Sequence, residues 1–442
     1  MNSESQTIVR PARNVSGSVS LPGDKSISLR YSMLAAIADG PSRLENYSTG
    51  ADCASTLGCL RALGAKWERK PGAGNVIEVH GSGLALSAPT QVLGCGNSGS
   101  TIRMLSGIVA GQKFTTEMAG DESLARRPME RVIAPLQAMG AEITSQNGRP
   151  PLRITGGNLN GIEYKMPVAS AQVKTCLLFA GLLAEGETRI EEPLRTRDHG
   201  EVALRAFGAQ LERKGNEVRI RGGQRLHGIE AVVPGDLSGA AFFLCAAALF
   251  PGSQLSVANV LMNPTRARLL DILMQMGLRI SVTQLEEVHG ELVGTLQVEG
   301  GRLKGATIAG SDTAALIDEI PVLAAIAPYT EQGIEVRDAK ELRVKESDRL
   351  ASIAVNLRAM GAQVDERDDG LNIPGGQSLH GAELESFGDH RIAMAFSIAA
   401  LRAQGETLIH GSACAAISYP EFFAVLEGVV EQGGASDWAT IK

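Results

Sequence analysis

Aromatic residues are scarce in this chain of 442 residues, at 4 % of the sequence. Stacking platforms for single-stranded nucleic acid depend on such side chains. The net charge of −7 also makes the surface as a whole repel polyanions. These two features argue against a nucleic-acid-binding protein, so any anionic ligand must be bound by a local cluster of Lys and Arg residues.

The sequence also lacks metal-binding cysteine pairs and long apolar runs. Its six cysteines form no C-x-x-C pair and no zinc-ligand spacing, so we expect buried free thiols in a reducing compartment. The longest apolar run, residues 240–250, ends at Pro251-Gly252, whereas a bilayer span needs about 20 residues. The N-terminal stretch has no apolar segment of the secretory type. The sequence therefore predicts a cytoplasmic protein that does not contact a membrane.

A sixfold repeat is the strongest indication of the fold. Each copy contains a helix ending in Leu-x-x-x-Gly or a close variant, and the glycine is expected to cap the helix C-terminus. These glycines lie 68 to 84 residues apart: Gly64, Gly140, Gly208, Gly277, Gly361 and Gly434. Each is preceded by a predicted capped helix start, 38 to 45 residues upstream: Asp24, Asn97, Ser170, Asp236, Asp318 and Asp389.

Between each helix start and its glycine, the pattern predicts a helix, a strand and a second helix. Two further strands follow each of the first five glycines. The sixth copy must obtain its closing strands elsewhere, and residues 9–23 are the available segment. Each copy thus reads as a β-α-β-α-β-β unit, and the class is mixed α and β.

A chain of this length is too long for one ordinary core, so six units predict two domains of three units each. The sequence Pro-Gly-Asp occurs at both expected crossover points, near residues 22–24 and 234–236. The predicted domains are residues 23–234 and residues 1–22 with 235–442.

The segment LPGDKSISLR, residues 21–30, indicates an anion site. Asp24 is a good N-cap, and it places Lys25, Ser26 and Arg30 in the first two turns of a helix, near free backbone N–H groups. The alternative is an ordinary capped helix with solvated charges. The P-loop spacing G-x-x-x-x-G-K-[ST] is absent, so the segment does not predict nucleotide binding.

Basic residues cluster at equivalent positions of the repeat. They precede the second helices or begin the first helices, in the segments GDESLARRPMERV, EPLRTRDHGEV, NPTRARLL, AKELRVKESDRLA, GDKSISLR, GNSGSTIR, SAQVK and GDHRIAMA. Helix N-termini attract anions, and the Arg side chain binds two oxygens of a phosphate or carboxylate at once. This recurrence favours an anion-binding enzyme over a non-catalytic repeat scaffold.

Two acidic residues accompany these basic clusters. Asp318 lies in LIDEIPVLA, and Glu346 lies in RVKESDR. Their structural alternatives are a helix cap for Asp318 and an exposed salt bridge for Glu346. Held ionised by neighbouring cations, either carboxylate is available for proton transfer. His390 is a candidate general base, although a histidine beside Arg391 at a helix start equally suits hydrogen bonding or phosphate contact.

With these motifs in view, the chain closely resembles the 5-enolpyruvylshikimate-3-phosphate synthase family of enolpyruvyl transferases. The resemblance spans about residues 10–430. It rests on ten motifs in family order: PGDKSIS, GNSGSTIRMLSG, GDESLARRPM, SAQVK, TRDH, PGDLSGAAF, NPTR, IDEIPVLA, ELRVKESDRL and DHRIAMA. The fold it implies is an inside-out α/β barrel of six units in two domains, which agrees with the repeat.

The resemblance implies transfer of the enolpyruvyl group of phosphoenolpyruvate to the 5-hydroxyl of shikimate 3-phosphate, with release of phosphate, in chorismate and aromatic amino acid biosynthesis. It implies no metal and no organic cofactor. The expected partners are the two small substrates, without nucleic acid or membrane, and a monomer is expected. The two substrates together carry two phosphates and two carboxylates, which suits a site rich in Lys and Arg.

The resemblance also assigns roles to individual residues. Asp318 is expected to accept the proton of the 5-hydroxyl, and Glu346 and Lys25 are alternative proton donors to the enolpyruvyl methylene. The residues expected to bind shikimate 3-phosphate are Lys25, Ser26, Arg30, Ser170, Gln172, Arg197, Asp318 and Lys345. Those expected to bind phosphoenolpyruvate are Lys25, Gly99, Arg127, Gln172, Arg349 and Arg391. Because they come from both predicted domains, we expect open and closed states about the crossovers.

Four positions depart from the family pattern. Leu29 stands where many relatives have a polar residue, and Gly200 replaces a usual Thr after the motif RDH. Gly239 replaces a usual Ser, and Ile417 stands where some relatives carry a Lys. None is a charged binding residue, so these departures affect fine geometry rather than the reaction.

Two alternatives to this function are open at this point. A sister enolpyruvyl transferase acts on UDP-N-acetylglucosamine, but many such enzymes carry a reactive Cys that the loop GDESLARRPMER lacks. An inactive anion-binding scaffold is the other alternative. Retention of Lys25, Asp318, Glu346 and the arginines disfavours it.

Overall fold

The structure is a computed structural model that describes residues 5–70, 74–432 and 440–441. Its contacts divide the chain into two compact units. The central unit comprises Gly23–Val233 and Glu287–Glu291, and the terminal unit comprises the described residues within Met1–Pro22, Pro234–Glu286 and Leu292–Lys442.

Helices occupy both units. The α-helices are α1 (Lys25–Ala36), α2 (Ala51–Ala62), α3 (Gly99–Ala110), α4 (Glu122–Ala125), α5 (Glu130–Ala138), α6 (Ala171–Leu183), α7 (His199–Ala206), α8 (Leu237–Ala248), α9 (Arg268–Gln275), α10 (Ser311–Ala315), α11 (Ile320–Ile326), α12 (Arg349–Ala359), α13 (His390–Ala400) and α14 (Phe422–Val429). Short 3-10 helices cover Ala327–Tyr329, Lys340–Val344 and Ser412–Ile417.

The strands are short and recur between the helices. They are β1 (Gln6–Val9), β2 (Ala12–Val19), β3 (Asp39–Glu45), β4 (Lys66–Arg69), β5 (Ile77–Ser82), β6 (Leu93–Gly94), β7 (Thr115–Ala119), β8 (Glu142–Gln146), β9 (Arg149–Thr155), β10 (Glu163–Lys165), β11 (Glu187–Glu191), β12 (Leu211–Lys214), β13 (Glu217–Arg221), β14 (Glu230–Val232), β15 (Gln254–Leu261), β16 (Arg279–Val288), β17 (Glu291–Glu299), β18 (Ala306–Ile308), β19 (Ile334–Val336), β20 (Asp365–Arg367), β21 (Gly370–Ile373), β22 (Glu383–Glu385), β23 (Thr407–His410), β24 (Val430–Gln432) and β25 (Thr440–Ile441).

Each repeat builds one small sheet with a common order. The described strands of the central unit form sheets β14-β3-β5-β4, β6-β7-β9-β8 and β10-β11-β13-β12. Those of the terminal unit form β16-β17-β15-β2-β24, β18-β19-β21-β20 and β22-β23-β1-β25. In β10-β11-β13-β12, Tyr164 pairs in parallel with Ile190, which pairs antiparallel with Val218. The strand after each first helix therefore lies inside its sheet, as the predicted β-α-β-α-β-β pattern requires.

The strands that precede α1 and α8 are exchanged between sheets. β2, which precedes α1, pairs in parallel with β15, and β14, which precedes α8, pairs in parallel with β3. The sixth repeat takes β1 and β25 as its closing strands. The prediction that residues 9–23 close this repeat is therefore largely wrong, because the closing strand lies at Gln6–Val9 and most of 9–23 forms β2.

The predicted helix ends are confirmed at five glycines, which have positive φ values: Gly64, Gly140, Gly208, Gly277 and Gly361. Gly434 lies outside the described residues. The prediction that the sixth helix extends to that position is wrong, because α14 ends at Val429 and the chain enters β24 directly. The β-branched pair Val429-Val430 favours this change to a strand.

Four predicted N-caps are confirmed by side-chain hydrogen bonds to helical N–H groups: Asp24, Ser170, Asp236 and Asp389. Asn97 is not a cap, because Ser98 caps α3 and accepts from the N–H of Thr101. Asp318 is not a cap either, because it lies in the turn before α11, whose N-cap position is Glu319.

The first helices of the repeats form the core of each unit. In the central unit, a Cβ at Gly107 of α3 would lie 2.1 Å from the carbonyl oxygen of Cys176 in α6, so these two backbones touch. The close approach brings the starts of α3 and α6 together. The six cysteines are buried and free, as predicted. Within the described residues, the helices are too short or too polar to cross a bilayer.

Candidate active site

The starts of α1, α3 and α6 carry many of the predicted site residues of the central unit. Gln172 links two of these helices: its amide donates to the Ser100 hydroxyl at 2.9 Å, and its oxygen accepts from Arg103 at 2.8 Å. Arg30 of α1 donates to Thr175 of α6. The three helix starts are therefore linked to one another, and their positive dipole ends favour an anion.

Arg30 is a buried cation held by neutral groups. Its Nε and Nη2 donate to the Thr175 hydroxyl at 3.3 and 3.1 Å, and its Nη1 donates to the Ser26 carbonyl at 2.9 Å. Of the five N–H groups of an arginine, two have no hydrogen-bond partner among the described residues, and no described carboxylate bonds to the side chain. Burial lowers the pKa of Arg30 to about 10, and the positive charge of Arg197 contributes to this lowering. The group is cationic at neutral pH and suited to an anion.

Lys25 is positioned by an acidic residue that the sequence analysis did not identify. Its ammonium lies 3.1 Å from Oδ2 of Asp52 in α2, and both side chains are mostly buried. The pair fixes a flexible side chain at the start of α1, next to Ser26. The orientation of Lys25 therefore depends on Asp52.

Gly99, Arg103 and Arg127 meet at the start of α3. Arg127 donates to Oδ1 of Asn97 at 2.6 Å and to the Ser123 hydroxyl at 3.2 Å. A Cβ at Gly99 would lie 3.0 Å from Nη1 of Arg103 and 3.2 Å from Nη1 of Arg127. The absence of a side chain at Gly99 therefore leaves both guanidinium groups in place. The sequence analysis did not identify Arg103, which also donates to the Pro128 carbonyl.

The remaining predicted residues of this unit lie at its helix starts. Ser170 caps α6, and its hydroxyl accepts from the N–H of Val173 at 3.4 Å. Arg197 is partly buried and lies two residues before α7. Together with burial, its positive charge contributes to lowering the pKa of Arg30. The structure thus brings the predicted residues of the central unit into one region.

In the terminal unit, Arg349 is the centre of a buried cluster of carboxylates. Its Nε donates to Asp389 at 2.8 Å, and its Nη2 donates to Glu346 at 2.6 Å and to Asp389 at 3.3 Å. Nη1 lies 3.6 Å from Oδ1 of Asp318 and has no hydrogen-bond partner among the described residues. These carboxylates raise the pKa of Arg349 above its ordinary value, against the effect of burial. Arg349 therefore holds the two predicted catalytic acids in one place.

Arg391 and Lys345 complete the predicted set in this unit. Nη1 of Arg391 donates to the backbone carbonyl of Asp318 at 2.9 Å, so α13 fixes the turn before α11. Burial lowers the pKa of Lys345, and the negative charge of Asp318 opposes that lowering. His390 is buried, with Nδ1 3.9 Å from Oδ1 of Asp389. Asp389, predicted only as a cap, also orients Arg349.

A buried ion network lies behind the helix starts of the central unit. Nζ of Lys174 lies 3.1 Å from Glu192 and 3.0 Å from Glu201, and Arg213 contacts the same two carboxylates. Lys174 lies in the motif SAQVK. The apolar residues that follow it in the sequence do not indicate that its side chain is buried in α6. Since both carboxylates pair with it, Lys174 joins α6 to α7 rather than binding a ligand.

One described group has the residue types of a cation site: Glu68, Glu78 and His80 on the hairpin β4-β5. Lys70 contacts both carboxylates, at 2.5 and 2.7 Å. The group is therefore an ion-paired surface cluster, and it contains none of the predicted site residues.

Comparisons with known proteins show the family to which this chain is similar. The family model described as EPSP synthase (3-phosphoshikimate 1-carboxyvinyltransferase) matches residues 9–426. Relatives named 3-phosphoshikimate 1-carboxyvinyltransferase include one from Koribacter versatilis (strain Ellin345), 60 % identical over 424 residues, and one from Solibacter usitatus (strain Ellin6076), 55 % identical over 425 residues. Each alignment covers 96 % of this chain and 99 % of the relative.

Solved structures show the same similarity. The 2.37 Å structure of EPSP synthase from Acinetobacter baumannii is 40 % identical, with a TM-score of 0.87, over 99 % of this chain and 100 % of that chain. A second structure of the Acinetobacter baumannii enzyme is 39 % identical, with a TM-score of 0.85, over 98 % of this chain and 100 % of that chain. The predicted two-domain fold class is thereby confirmed.

Proposed function

Since the chain belongs to the EPSP synthase family, we propose that it transfers the enolpyruvyl group of phosphoenolpyruvate to the 5-hydroxyl of shikimate 3-phosphate and releases phosphate. The relatives' names support this acceptor over UDP-N-acetylglucosamine. Among the structural observations, Arg30 carries the proposal. Its guanidinium is buried near the starts of three helices. Among the described residues, no carboxylate is hydrogen-bonded to it. Such a cation is stabilised by an anionic ligand.

In this proposal the central unit binds most of the substrate charge. Lys25, Ser26, Arg30, Ser170, Gln172 and Arg197 hold shikimate 3-phosphate. Lys25, Gly99, Arg127 and Gln172 hold phosphoenolpyruvate. The hydrogen bonds of Gln172 to α3 support its role in both sets, because they fix its amide between the two groups of residues.

The terminal unit supplies the proton-transfer groups Asp318 and Glu346, and Lys25 of the central unit is the alternative proton donor. Asp318 takes the proton of the 5-hydroxyl as that oxygen attacks C2 of phosphoenolpyruvate, and Glu346 or Lys25 protonates the methylene carbon. Removal of a proton from the resulting methyl carbon, by the group that delivered it, and loss of phosphate from C2 of the tetrahedral intermediate then restore the double bond. Arg349, with Nη1 near Asp318, contacts phosphoenolpyruvate together with Arg391, and Lys345 contacts the acceptor. General acid and base groups of this kind contribute about 10²- to 10⁴-fold to the rate.

We further propose that the two units act as the predicted domains, residues 23–234 and residues 1–22 with 235–442, with hinges at the crossovers. Binding of shikimate 3-phosphate, whose proposed contacts come from both units, would then bring the two sets of residues together. A cytoplasmic location and a monomeric state stay predictions.

The direct test is release of inorganic phosphate from phosphoenolpyruvate, measured with shikimate 3-phosphate and, separately, with UDP-N-acetylglucosamine. We expect release only with shikimate 3-phosphate. Arg127→Gln should raise KM for phosphoenolpyruvate at least about tenfold, because a charge-assisted hydrogen bond is worth about 1.5–3 kcal/mol. Its neighbour Arg126 is exposed and pairs with Glu122, so Arg126→Gln is the matched control and should leave KM unchanged. Release with neither acceptor would contradict the proposed function.

A further inference from the structure

Helices α6 and α7 approach each other closely where Thr175 faces Gly200. A Cβ at Gly200 would lie 2.6 Å from Oγ1 of Thr175 and 3.4 Å from its Cβ. Thr175 is buried, so its hydroxyl cannot turn towards solvent. A residue larger than glycine at position 200 would therefore displace this hydroxyl or separate the helices.

The hydroxyl of Thr175 uses its full hydrogen-bonding capacity, which is one donor and two acceptor sites. It donates to the Ala171 carbonyl at 2.8 Å and accepts from Nε and Nη2 of Arg30. The only other hydrogen bond that Arg30 makes to a described residue goes to the Ser26 carbonyl. Two of the three hydrogen bonds that direct the guanidinium therefore depend on the position of the Thr175 oxygen.

The two helices cannot easily move apart at this point. Residues on both sides of Gly200 have buried polar contacts: Nδ1 of His199 is hydrogen-bonded to Glu291 at 2.7 Å, and Glu201 pairs with Lys174 of α6 at 3.0 Å. Lys174 directly precedes Thr175, so the contact between α6 and α7 is fixed next to the close approach. An added methyl group at position 200 would consequently move the Thr175 hydroxyl rather than α7.

We propose that Thr175 and Gly200 form a matched pair that positions Arg30 for binding of shikimate 3-phosphate. The inference rests on the proposed function, in which Arg30 contacts that substrate. Thr175 is a positioning residue, since it acts only through Arg30. The pair also gives a physical reason for Gly200 in this chain, because position 200 must leave room for the hydroxyl of Thr175.

The test measures KM for each substrate separately. Thr175→Val keeps the shape of the side chain and removes the hydroxyl, and Gly200→Ala displaces the hydroxyl. Each should raise KM for shikimate 3-phosphate about tenfold, the effect of losing one hydrogen bond to a charged group. KM for phosphoenolpyruvate and kcat should stay within about twofold. A general loss of structure would instead change all three quantities.

A double-mutant cycle shows whether the two residues act through one contact. In a Thr175→Ala background, Gly200→Ala should have no further effect on KM, because the displaced oxygen is already absent. Additive effects, or an unchanged KM in Thr175→Val, would overturn the inference. Should Gly200→Ala fail to fold, as judged by circular dichroism, Thr175→Val alone decides.

The matched control is Gly58→Ala in α2, where an added Cβ meets nothing within 4 Å. It should leave both KM values unchanged. A wild-type chain that releases no phosphate with shikimate 3-phosphate would contradict the proposed function and this inference with it. An active wild type whose variants keep a normal KM would contradict this inference alone.

Discussion

Replacement of Asp389 by Asn tests the role of the carboxylate cluster in the terminal unit. Oδ2 of Asp389 accepts from Nε of Arg349 and from Ser347, and Oδ1 accepts from Nη2 of Arg349 and from the N–H of Arg391. Both oxygens thus accept from Arg349. Whichever way an Asn amide is turned, its NH2 group faces a guanidinium donor, so at least one hydrogen bond to Arg349 is lost.

The expected cost is about 3 kcal/mol of unfolding free energy. A hydrogen bond to a charged group contributes about 1.5–3 kcal/mol, and breaking a buried ion pair by removing one partner costs about 3–5 kcal/mol. The expected cost lies at the lower end of the range for a broken buried ion pair, because Arg349 keeps its contact with Glu346 in the variant. The N-cap is not the cause of the loss, since Asn caps a helix as well as Asp does.

Urea unfolding of the full chain, followed by circular dichroism, measures this cost. The matched control is Asp365→Asn, which removes the charge from an exposed pair with Arg367 in the same unit. Exposed pairs contribute about 0–1 kcal/mol, so the control should be close to wild type. The reasoning is refuted if Asp389→Asn costs no more than the control.

The stability difference between wild type and Asp389→Asn should also depend on pH. Burial alone would raise the pKa of Asp389, but the charge and hydrogen bonds of Arg349 lower that pKa below its ordinary value. A carboxyl group with a lowered folded-state pKa stabilises the fold above its unfolded pKa of about 4. That contribution is lost as the pH falls through the folded pKa. The stability difference between wild type and Asp389→Asn should therefore be constant from pH 8 to 5 and shrink below about pH 4; a difference that grows there would contradict the assignment.

Three further predictions concern the site itself. Gly99→Ala should raise KM for phosphoenolpyruvate more than KM for shikimate 3-phosphate, because the new methyl group displaces Arg127 as well as Arg103, and only the effect through Arg103 on Gln172 is shared by both substrates; equal changes in both constants would speak against this geometry. Asp318→Asn and Glu346→Gln should each lower kcat at least about 10²-fold with unchanged circular dichroism, and near-normal turnover would remove that residue from its role. Small-angle scattering should show a smaller radius of gyration when shikimate 3-phosphate is added, and an unchanged radius would count against domain closure.

The repeat pattern was readable from sequence because its signals are local. The preference for a glycine after the last helical turn, and for an Asp or Ser before the first, depends only on the backbone of that one helix. Gly64 ends its helix with a positive φ and Asp24 caps α1, as predicted. Asn97 and Ser98 are adjacent and both suit a helix N-cap, so local preference does not indicate which of them caps α3. The choice depends on Arg127, which occupies the oxygen of Asn97.

Residues that act through distant partners could not be found in this way. Asp318 was a plausible cap, but contacts with Arg349 and Arg391, 31 and 73 residues away, hold it in the preceding turn. Lys174 sits in an apolar helix, and its partners Glu192 and Glu201 come from separate parts of the chain. The local sequence does not indicate the exchange of β2 and β14 between sheets either. Each strand could equally pair in the sheet of the repeat that follows it in sequence.

The two units hold their central arginines in opposite ways, and this difference bears on their roles. Arg30 and Arg349 are both buried, but Arg30 donates to a hydroxyl and a backbone carbonyl, whereas Arg349 donates to two carboxylates and lies near a third. A desolvated cation without a hydrogen-bonded carboxylate gains most from an anionic ligand, so neutralising Arg30 should act mainly on substrate affinity. A cation already compensated by acids gains less from an anion, and its removal would leave Glu346 and Asp318 without the charge that orients them. Arg349→Gln should therefore lower kcat more than it raises KM for phosphoenolpyruvate, while Arg30→Gln should raise KM for shikimate 3-phosphate more than it lowers kcat. Measuring kcat and KM of the two variants by steady-state kinetics tests this prediction. The reverse pattern would show that Arg349 does not act by orienting the carboxylate cluster.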